Sequence, residues 1–178
     1  MHIKTSVSVI IRIVLWFFLL IGGAFFSIKV DSHSTLFHSF LFHITSGIIG
    51  VIIIVFAFRA AGNGGKELTK GRVGNIPRLE TNKLVTSGIY SCMRHPMLFG
   101  LALLPLGLGF LLGSPTFITF TAPLEILFII IMVVIFEEME VKKKFSQEYE
   151  QYKKEVPMIS FEKKCLQKLF QAYKSTNS

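Results

Sequence analysis

Leu84-Val85-Thr86-Ser87-Gly88-Ile89-Tyr90-Ser91-Cys92-Met93-Arg94-His95-Pro96-Met97-Leu98-Phe99-Gly100 passes from a polar, glycine-punctuated loop into an apolar run at Arg94-His95-Pro96. Pro96 suits a first helical turn, because its φ is already helical and its missing N–H would have had no intrahelical partner there. A helix therefore starts at Pro96. Its unpaired amides and positive dipole end lie beside Arg94 and His95, an arrangement suited to a carboxylate or phosphate. Taken alone, Arg-His-Pro also reads as a basic anchor at a membrane surface.

The rest of the chain is built from similar apolar runs. Its 178 residues allow one domain over 1–178, and 51% hydrophobic residues with a mean hydropathy of +0.57 lie above the soluble norm. Residues 7–28 are apolar apart from Arg12 and are long enough to span a bilayer. The run is too long for a signal-peptide core and lacks an A-x-A site before Lys29-Val30-Asp31. Arg12, about one turn inside, is expected to snorkel to the headgroups. Residues 36–58 form a second span. It contains His38 and His43, read as packing residues, and Ser46 with Gly50, a pair that lets another helix approach. Residues 96–112 and 116–136 form the third and fourth spans around Gly113-Ser114-Pro115.

Glu125 sits mid-span, where an acidic residue costs about 3 kcal/mol on insertion scales. It must face protein or water, either as a functional carboxylate or in a hydrogen bond to the second span, Thr119 or Thr121. The connection from 60 to 96 imitates two nucleotide motifs without satisfying either. Ala60 and Glu67 occupy places that a P-loop reserves for Gly and Ser/Thr, and Gly62, Gly64 and Gly65 follow a membrane helix instead of a strand. A connection this long is usually functional, and a wall or lid over a cofactor is expected.

The formal charge of +8 comes from residues between and after the apolar runs, which indicates membrane orientation and not nucleic-acid binding. Six Lys and Arg fall in 62–96 and nine after 137, against one in 29–35 and none in 113–115. Both termini and both basic segments are thus expected on the cytoplasmic side. Arg94-His95 and Glu137-Glu138 then share one membrane face. No metal-ligand spacing is present, and Cys92 and Cys165 are read as reduced, cytoplasm-facing thiols.

After Glu137, the residues Val141, Phe145, Tyr149, Tyr152 and Val156 step as one face of a continuing helix. Glu137 begins that inward face. Glu138–Lys142, Glu140–Lys144 and Glu150–Lys154 are expected as outward pairs. Beyond Pro157, Phe161, Leu166, Leu169, Phe170 and Tyr173 alternate with lysines, as in an interfacial helix on an anionic leaflet.

Leu84-Val85-Thr86-x-Gly88-x-Tyr90, Arg94-His95-Pro96-x-x-x-Gly100, Glu137-Glu138 and Phe145-x-x-x-Tyr149-x-x-Tyr152-x-x-x-Val156-Pro157 together resemble the C-terminal signature of the isoprenylcysteine carboxyl methyltransferase and phospholipid methyltransferase superfamily. The likeness covers 82–157, the expected cofactor region, and departs at Leu98, where the family usually has Tyr. It implies an all-α polytopic membrane enzyme that transfers a methyl group from S-adenosyl-L-methionine to a lipidic or amphipathic acceptor. Here that fold has four transmembrane helices, a long cytoplasmic loop between the second and third, and cytoplasmic C-terminal amphipathic helices.

The implied cofactor-binding residues are Leu84, Val85, Tyr90, Arg94, His95, Pro96, Glu137 and Glu138, with His95 and Arg94 as the catalytic pair. The carboxylates would suit the cofactor ammonium, and the third span's amino end with Arg94 or His95 its carboxylate. His95 is also the expected base for an amine acceptor. Enzymes of the family acting on prenylcysteine carboxylates are expected to carry an arginine one turn before the glutamates. Met132-Val133-Val134-Ile135 has none, which favours a lipid amine or thiol unless Arg59 or Arg94 supplies the charge. The competing readings are a membrane reductase of the sterol reductase type using NADPH, and a small four-helix transporter using Glu125.

Overall fold

The computed structural model describes residues 5–74 and 81–170, with side chains from Ile10 onward. Six α-helices run in order: α1 Thr5–Asp31, α2 Phe40–Leu68, α3 Pro96–Leu112, α4 Ala122–Met132, α5 Glu138–Glu155 and α6 Lys163–Phe170. No strand occurs among the described residues. The stretches Ile10–Asp31, Phe40–Gly71 and Phe117–Glu155 are long and apolar enough to cross a membrane, while Pro96–Leu112, at 17 residues, is shorter. Exposed Phe18, Phe25, Phe40, Leu41 and Phe58 form an apolar outer surface, as lipid contact requires.

α2 and α3 make the most extensive contact in the fold, and small residues permit it. A Cβ on Gly50 would lie 2.5 Å from the Leu111 backbone N, and one on Gly100 would lie 2.6 Å from that of Ala61. Ser46 Oγ adds a hydrogen bond to the Phe110 carbonyl at 2.5 Å. Packing extends α2 beyond the expected end at 58, through Ala60 and Gly64 to Leu68, because Gly64 lets Pro96 and Met97 approach. Gly62, Gly64 and Gly65, expected in a loop, therefore belong to α2, and Gly64 lies at its interface with α3. The remaining connection starts with a 3-10 turn at Thr69–Gly71, whose last carbonyl accepts from the Asn82 and Lys83 amides.

α1 lies antiparallel to α4, presenting Arg12, Trp16, Leu20, Gly23, Ser27 and Asp31 at steps of 4, 4, 3, 4 and 4. At one end Asp31 accepts hydrogen bonds from the Ser114 hydroxyl, from Thr116 N at 3.2 Å and from Thr116 Oγ1 at 2.5 Å. Ser114 Oγ in turn accepts from Phe117 N at 3.1 Å, capping the helix that follows. Ser27 and Thr121 share a 2.7 Å hydroxyl hydrogen bond, and Gly23 admits the Thr121 methyl. Glu125 is buried beside Gly23, facing α1, with Oε2 unpartnered among the described residues. The expected bonds to α2, Thr119 or Thr121 do not form: Thr119 bonds the Pro115 carbonyl and Thr121 bonds Ser27.

Two irregularities reshape the last long element. A π turn at Val133–Glu137 joins α4 to α5, so the buried positions run Glu125, Ile129, Val133, Glu138, and the five-residue step falls on that turn. The inserted residue rotates everything after it by about 100° relative to an uninterrupted α-helix. Consequently Glu138 is buried and Glu137 is 49% exposed, the reverse of the sequence expectation. α5 then breaks at Ser146, whose φ of 44° and ψ of −115° are non-helical. In a straight helix Glu138 and Lys153 would lie about 22 Å apart; instead their side chains meet at 2.7 Å, and Lys142 meets Glu150 at 2.7 Å. The helix reverses at Ser146, and its second half folds back over the first.

α6 closes this end of the molecule. Its apolar residues Cys165 and Leu169 are buried against Ala60, Val85, Ile89, Tyr90 and Met93 instead of lying free for a bilayer, while Tyr173 lies outside the described residues. Asn63 Nδ2 donates to the Leu169 carbonyl at 2.7 Å. Cys92 and Cys165 are joined as a disulfide with Cα atoms 5.6 Å apart, so they are not the separate reduced thiols expected from sequence. The cause is packing: the 3-10 turn Gly88–Ser91 and α6 share one core, which brings together cysteines 73 residues apart.

Candidate active site at the amino end of α3

Pro96 occupies the first turn of α3, with His95 at the N-cap position and no side chain capping that end. The two residues before Pro96 are held by the chain that leaves α5. Arg94 N donates to the Pro157 carbonyl at 2.9 Å, His95 N to the Met158 carbonyl at 3.2 Å, and Arg94 Nε to the Val156 carbonyl at 3.0 Å. These bonds aim both side chains at the α4–α5 junction.

There the structure brings Arg94, His95, Glu137 and Glu138 together. Arg94 Nη1 pairs with Glu138 Oε1 and donates to Tyr149 Oη at 3.1 Å. Lys153 Nζ reaches the other Glu138 oxygen at 2.7 Å. Glu138 thus lies buried between two cations, which offset its desolvation. Glu137 contrasts with it. It is half-exposed, with the His95 ring nitrogen Nδ1 at 3.5 Å from its Oε1 as its neighbour within ion-pair range among the described residues. His95 is 6% exposed, and its Nε2, 3.4 Å from Glu138 Oε1, has no properly oriented hydrogen-bond partner.

The loop side is formed by Leu84, half-buried, with Val85 and Tyr90, both buried on the α6 core. Tyr152 Oη donates to the Tyr90 carbonyl at 2.6 Å, so the folded-back half of α5 fixes this turn as well. Burial, and then the negative charge of Glu137, push the Tyr90 hydroxyl well above its ordinary pKa, so it remains a neutral donor. Gly88, at φ +60°, packs directly on the Glu67 carboxylate, which accepts from Lys70 Nζ at 2.7 Å and from Ser87 Oγ at 3.3 Å. Glu67, Lys153 and the 156–158 backbone were absent from the expected set. Tyr149 and Tyr152 were legible as an inward stripe and as part of the family signature, without a role at the site.

The expected outward pairs also change partners. Glu140 meets Arg12 of α1 at 3.2 Å, and the Arg12 guanidinium lies over the Phe136 ring at 5.6 Å. Arg12 is therefore a packing and ion-pairing residue.

Helices of membrane length thus converge on a polar cluster at one end of the bundle, the build of a polytopic membrane protein with a polar site at the end of its apolar core. The profile of the phospholipid methyltransferase family matches residues 47–148, more than half of the chain, and the chain belongs to that family. Over 117 residues it is 32% identical to protein-S-isoprenylcysteine O-methyltransferase B of Arabidopsis thaliana, covering 65% of this chain and 56% of that relative. The chain spans little more than half the length of that protein. No solved structure matches it.

Proposed function

We propose that the chain is an S-adenosylmethionine-dependent methyltransferase working at the membrane surface on a lipid-like acceptor. The observation that carries this reading is the unequal state of the two carboxylates: Glu138 is neutralised by Arg94 and Lys153, whereas Glu137 stands half-exposed beside a buried His95 with an unpartnered Nε2. These residues fit the donor. Glu137 would hold its ammonium, and the amino end of α3 with the His95 ring its carboxylate. Leu84, Val85 and Tyr90 would flank the adenosine. When bound, S-adenosylmethionine supplies an electrophilic sulfonium methyl.

The chain's own part is positioning and charge placement. Arg94 and Glu138 hold the 94–96 turn against α5, and Pro96 sets the start of α3. For an amine acceptor His95 is the proposed base; a carboxylate or thiolate acceptor needs none. The Lys and Arg excess of the basic segments supports a cytoplasmic position for this site and both termini in a four-span topology. The family match gives no support to the reductase or transporter readings.

Calorimetric titration of the purified full chain with S-adenosylhomocysteine and with NADPH tests the reading. Saturable binding of the first and none of the second is expected; the opposite pattern overturns it.

A further inference from the structure

We propose a second binding site, at the edge between α1 and α4, in which Arg12 and Trp16 hold the anionic group, a carboxylate or phosphodiester, of a membrane amphiphile. The proposal draws on the methyltransferase reading only in taking that amphiphile to be the methyl acceptor. α1 lies outside the family match, so its residues carry no role inherited from it.

The inward stripe of α1 is polar along much of its length, and its polar members are matched by the segment before α4 or by α5. Asp31 meets Ser114 and Thr116, Ser27 meets Thr121, and Arg12 meets Glu140. Trp16 breaks the pattern. It is 8% exposed, and its Nε1–H has no hydrogen-bond partner among the described residues. Buried donors are almost always paired, so one left open within a matched stripe points to an acceptor from outside the chain.

Arg12 lies four residues from Trp16, one turn toward the cytoplasmic end on the same face of α1. Its guanidinium rests on the Phe136 ring and contacts Glu140 through Nη2 at 3.2 Å. A fork of donors stacked on an aromatic ring suits a planar carboxylate or a phosphodiester better than a point charge would. The surroundings suit the rest of an amphiphile, because Ile13, Phe17 and Ile135 are exposed apolar neighbours along which a tail can lie.

Phe136 and Glu140 flank Glu137 on one helix, so a head group here is adjacent to the candidate methyl-donor site. Glu140 holds Arg12 in place when no ligand is present and competes with an incoming anion. Met132–Ile135 contains no cation, which from sequence alone counted against an anionic acceptor. α1 supplies that cation from across the interface, paired with the part-exposed Glu140, whereas the Arg94 guanidinium is engaged by the buried Glu138, Tyr149 and the Val156 carbonyl.

Trp16 is the chain's sole tryptophan, so its fluorescence reports directly on the site. The full chain in dodecyl maltoside, a detergent that carries neither carboxylate nor phosphodiester, is titrated with a prenylated cysteine carboxylate, its matching primary amide and lysophosphatidylethanolamine. At least one anionic probe should give a saturable emission change at ten-fold or more lower concentration than the amide, and the tighter of the two anions identifies the head group. Arg12→Gln should weaken that anion ten-fold or more, Arg12→Lys less, and Glu140→Gln should strengthen it several-fold by removing the competitor. Equal response to carboxylate, phosphodiester and amide, or native affinity in Arg12→Gln, overturns the proposal. If Arg12→Gln does not fold, weaker anion binding in Glu140→Gln overturns it instead. S-adenosylhomocysteine affinity, measured in parallel, separates loss of this site from failure of the methyltransferase reading.

Discussion

The adjacent glutamates give the sharpest prediction, because the π turn assigns them different tasks. Glu138→Gln leaves Arg94, 8% exposed at its side chain, without its carboxylate, while Lys153, 45% exposed, returns to water. Removing one partner of a buried pair costs about 3 to 5 kcal/mol, nearly all of it here from Arg94, since the exposed Lys153 contributes under about 1 kcal/mol. For a chain of this size that lowers the thermal midpoint by about 10 °C. Glu137→Gln removes a half-exposed carboxylate facing only His95, so stability should change little. Its effect falls on the ligand: a charge-assisted contact to the donor's ammonium is worth about 1.5 to 3 kcal/mol, or about 10- to 150-fold in affinity. Thermal unfolding in detergent and calorimetric titration with S-adenosylhomocysteine measure the two quantities, with Glu148→Gln, at an exposed position, as control. A stable Glu138→Gln variant that has lost the ligand, alongside a Glu137→Gln variant that binds normally, would refute the assignment. The inward rotation of Glu138 would then not govern function.

Three further outcomes are expected. Ser146→Gly should raise the unfolding midpoint, since a non-glycine residue at φ 44° stores about 1 to 3 kcal/mol of backbone strain, while Ser146→Val should lower it; a stabilising valine would contradict the reversal. Thiol titration of the unreduced protein should find neither cysteine reactive. Because the bridge closes a loop of 73 residues, reduction should cost about 4 kcal/mol of stability, and two thiols titrating without reductant would count against the bond. In intact cells, single cysteines introduced at the exposed Ser32 and Thr35 into a cysteine-free chain should label from outside and one at Lys66 should not; outside labelling at position 66 would reverse the orientation.

The parts of the fold that depend on composition and period were readable from sequence. Apolar length marked the helices, Pro96 marked the start of α3, and Ser46 with Gly50 marked a close helix contact, which proved to be with α3. The convergence of Arg94-His95 with Glu137-Glu138 also followed, because motif order and loop charge placed both at one membrane face. What was hidden depends on tertiary packing. A π turn has no residue signature, so the stripe was begun at Glu137 where the buried residue is Glu138, although its later members Tyr149 and Tyr152 are buried as expected. Ser146 carries no turn signal, since the position it occupies favours glycine; the unbroken pattern from Val141 to Val156 concealed a reversal. The backbone bonds from Arg94 and His95 to Pro157 and Met158 involve no side-chain pattern at all. Gly62, Gly64 and Gly65 suggested a loop because glycine serves turns and close helix packing equally well, and only Met97 pressing on Gly64 decides between the two.

The two irregularities depend on each other. Without the extra residue at Val133–Glu137, the step from Val133 would bring Glu137 to the buried face and leave Glu138 outside, beyond the reach of Arg94. Without the reversal at Ser146, Lys153, Tyr149 and Tyr152 would extend about 20 Å away from the site along a straight helix. Arg94 and Glu138 would then share the interior with neither the second cation nor the tyrosine hydroxyl that now complete the cluster. The strain at Ser146 persists because three contacts hold the returning segment: Lys153 to Glu138, Tyr149 to Arg94, and Tyr152 to the Tyr90 carbonyl. Each of the three ends on the Tyr90–His95 turn or on its carboxylate partner. A single rigid unit therefore links the loop expected to line the adenosine, the amino end of α3 and the helix bearing Glu137. That linkage holds the backbone that carries Glu137 while its carboxylate stays half-exposed beside His95, which shortens the ordering a carboxylate needs before it can receive a cation.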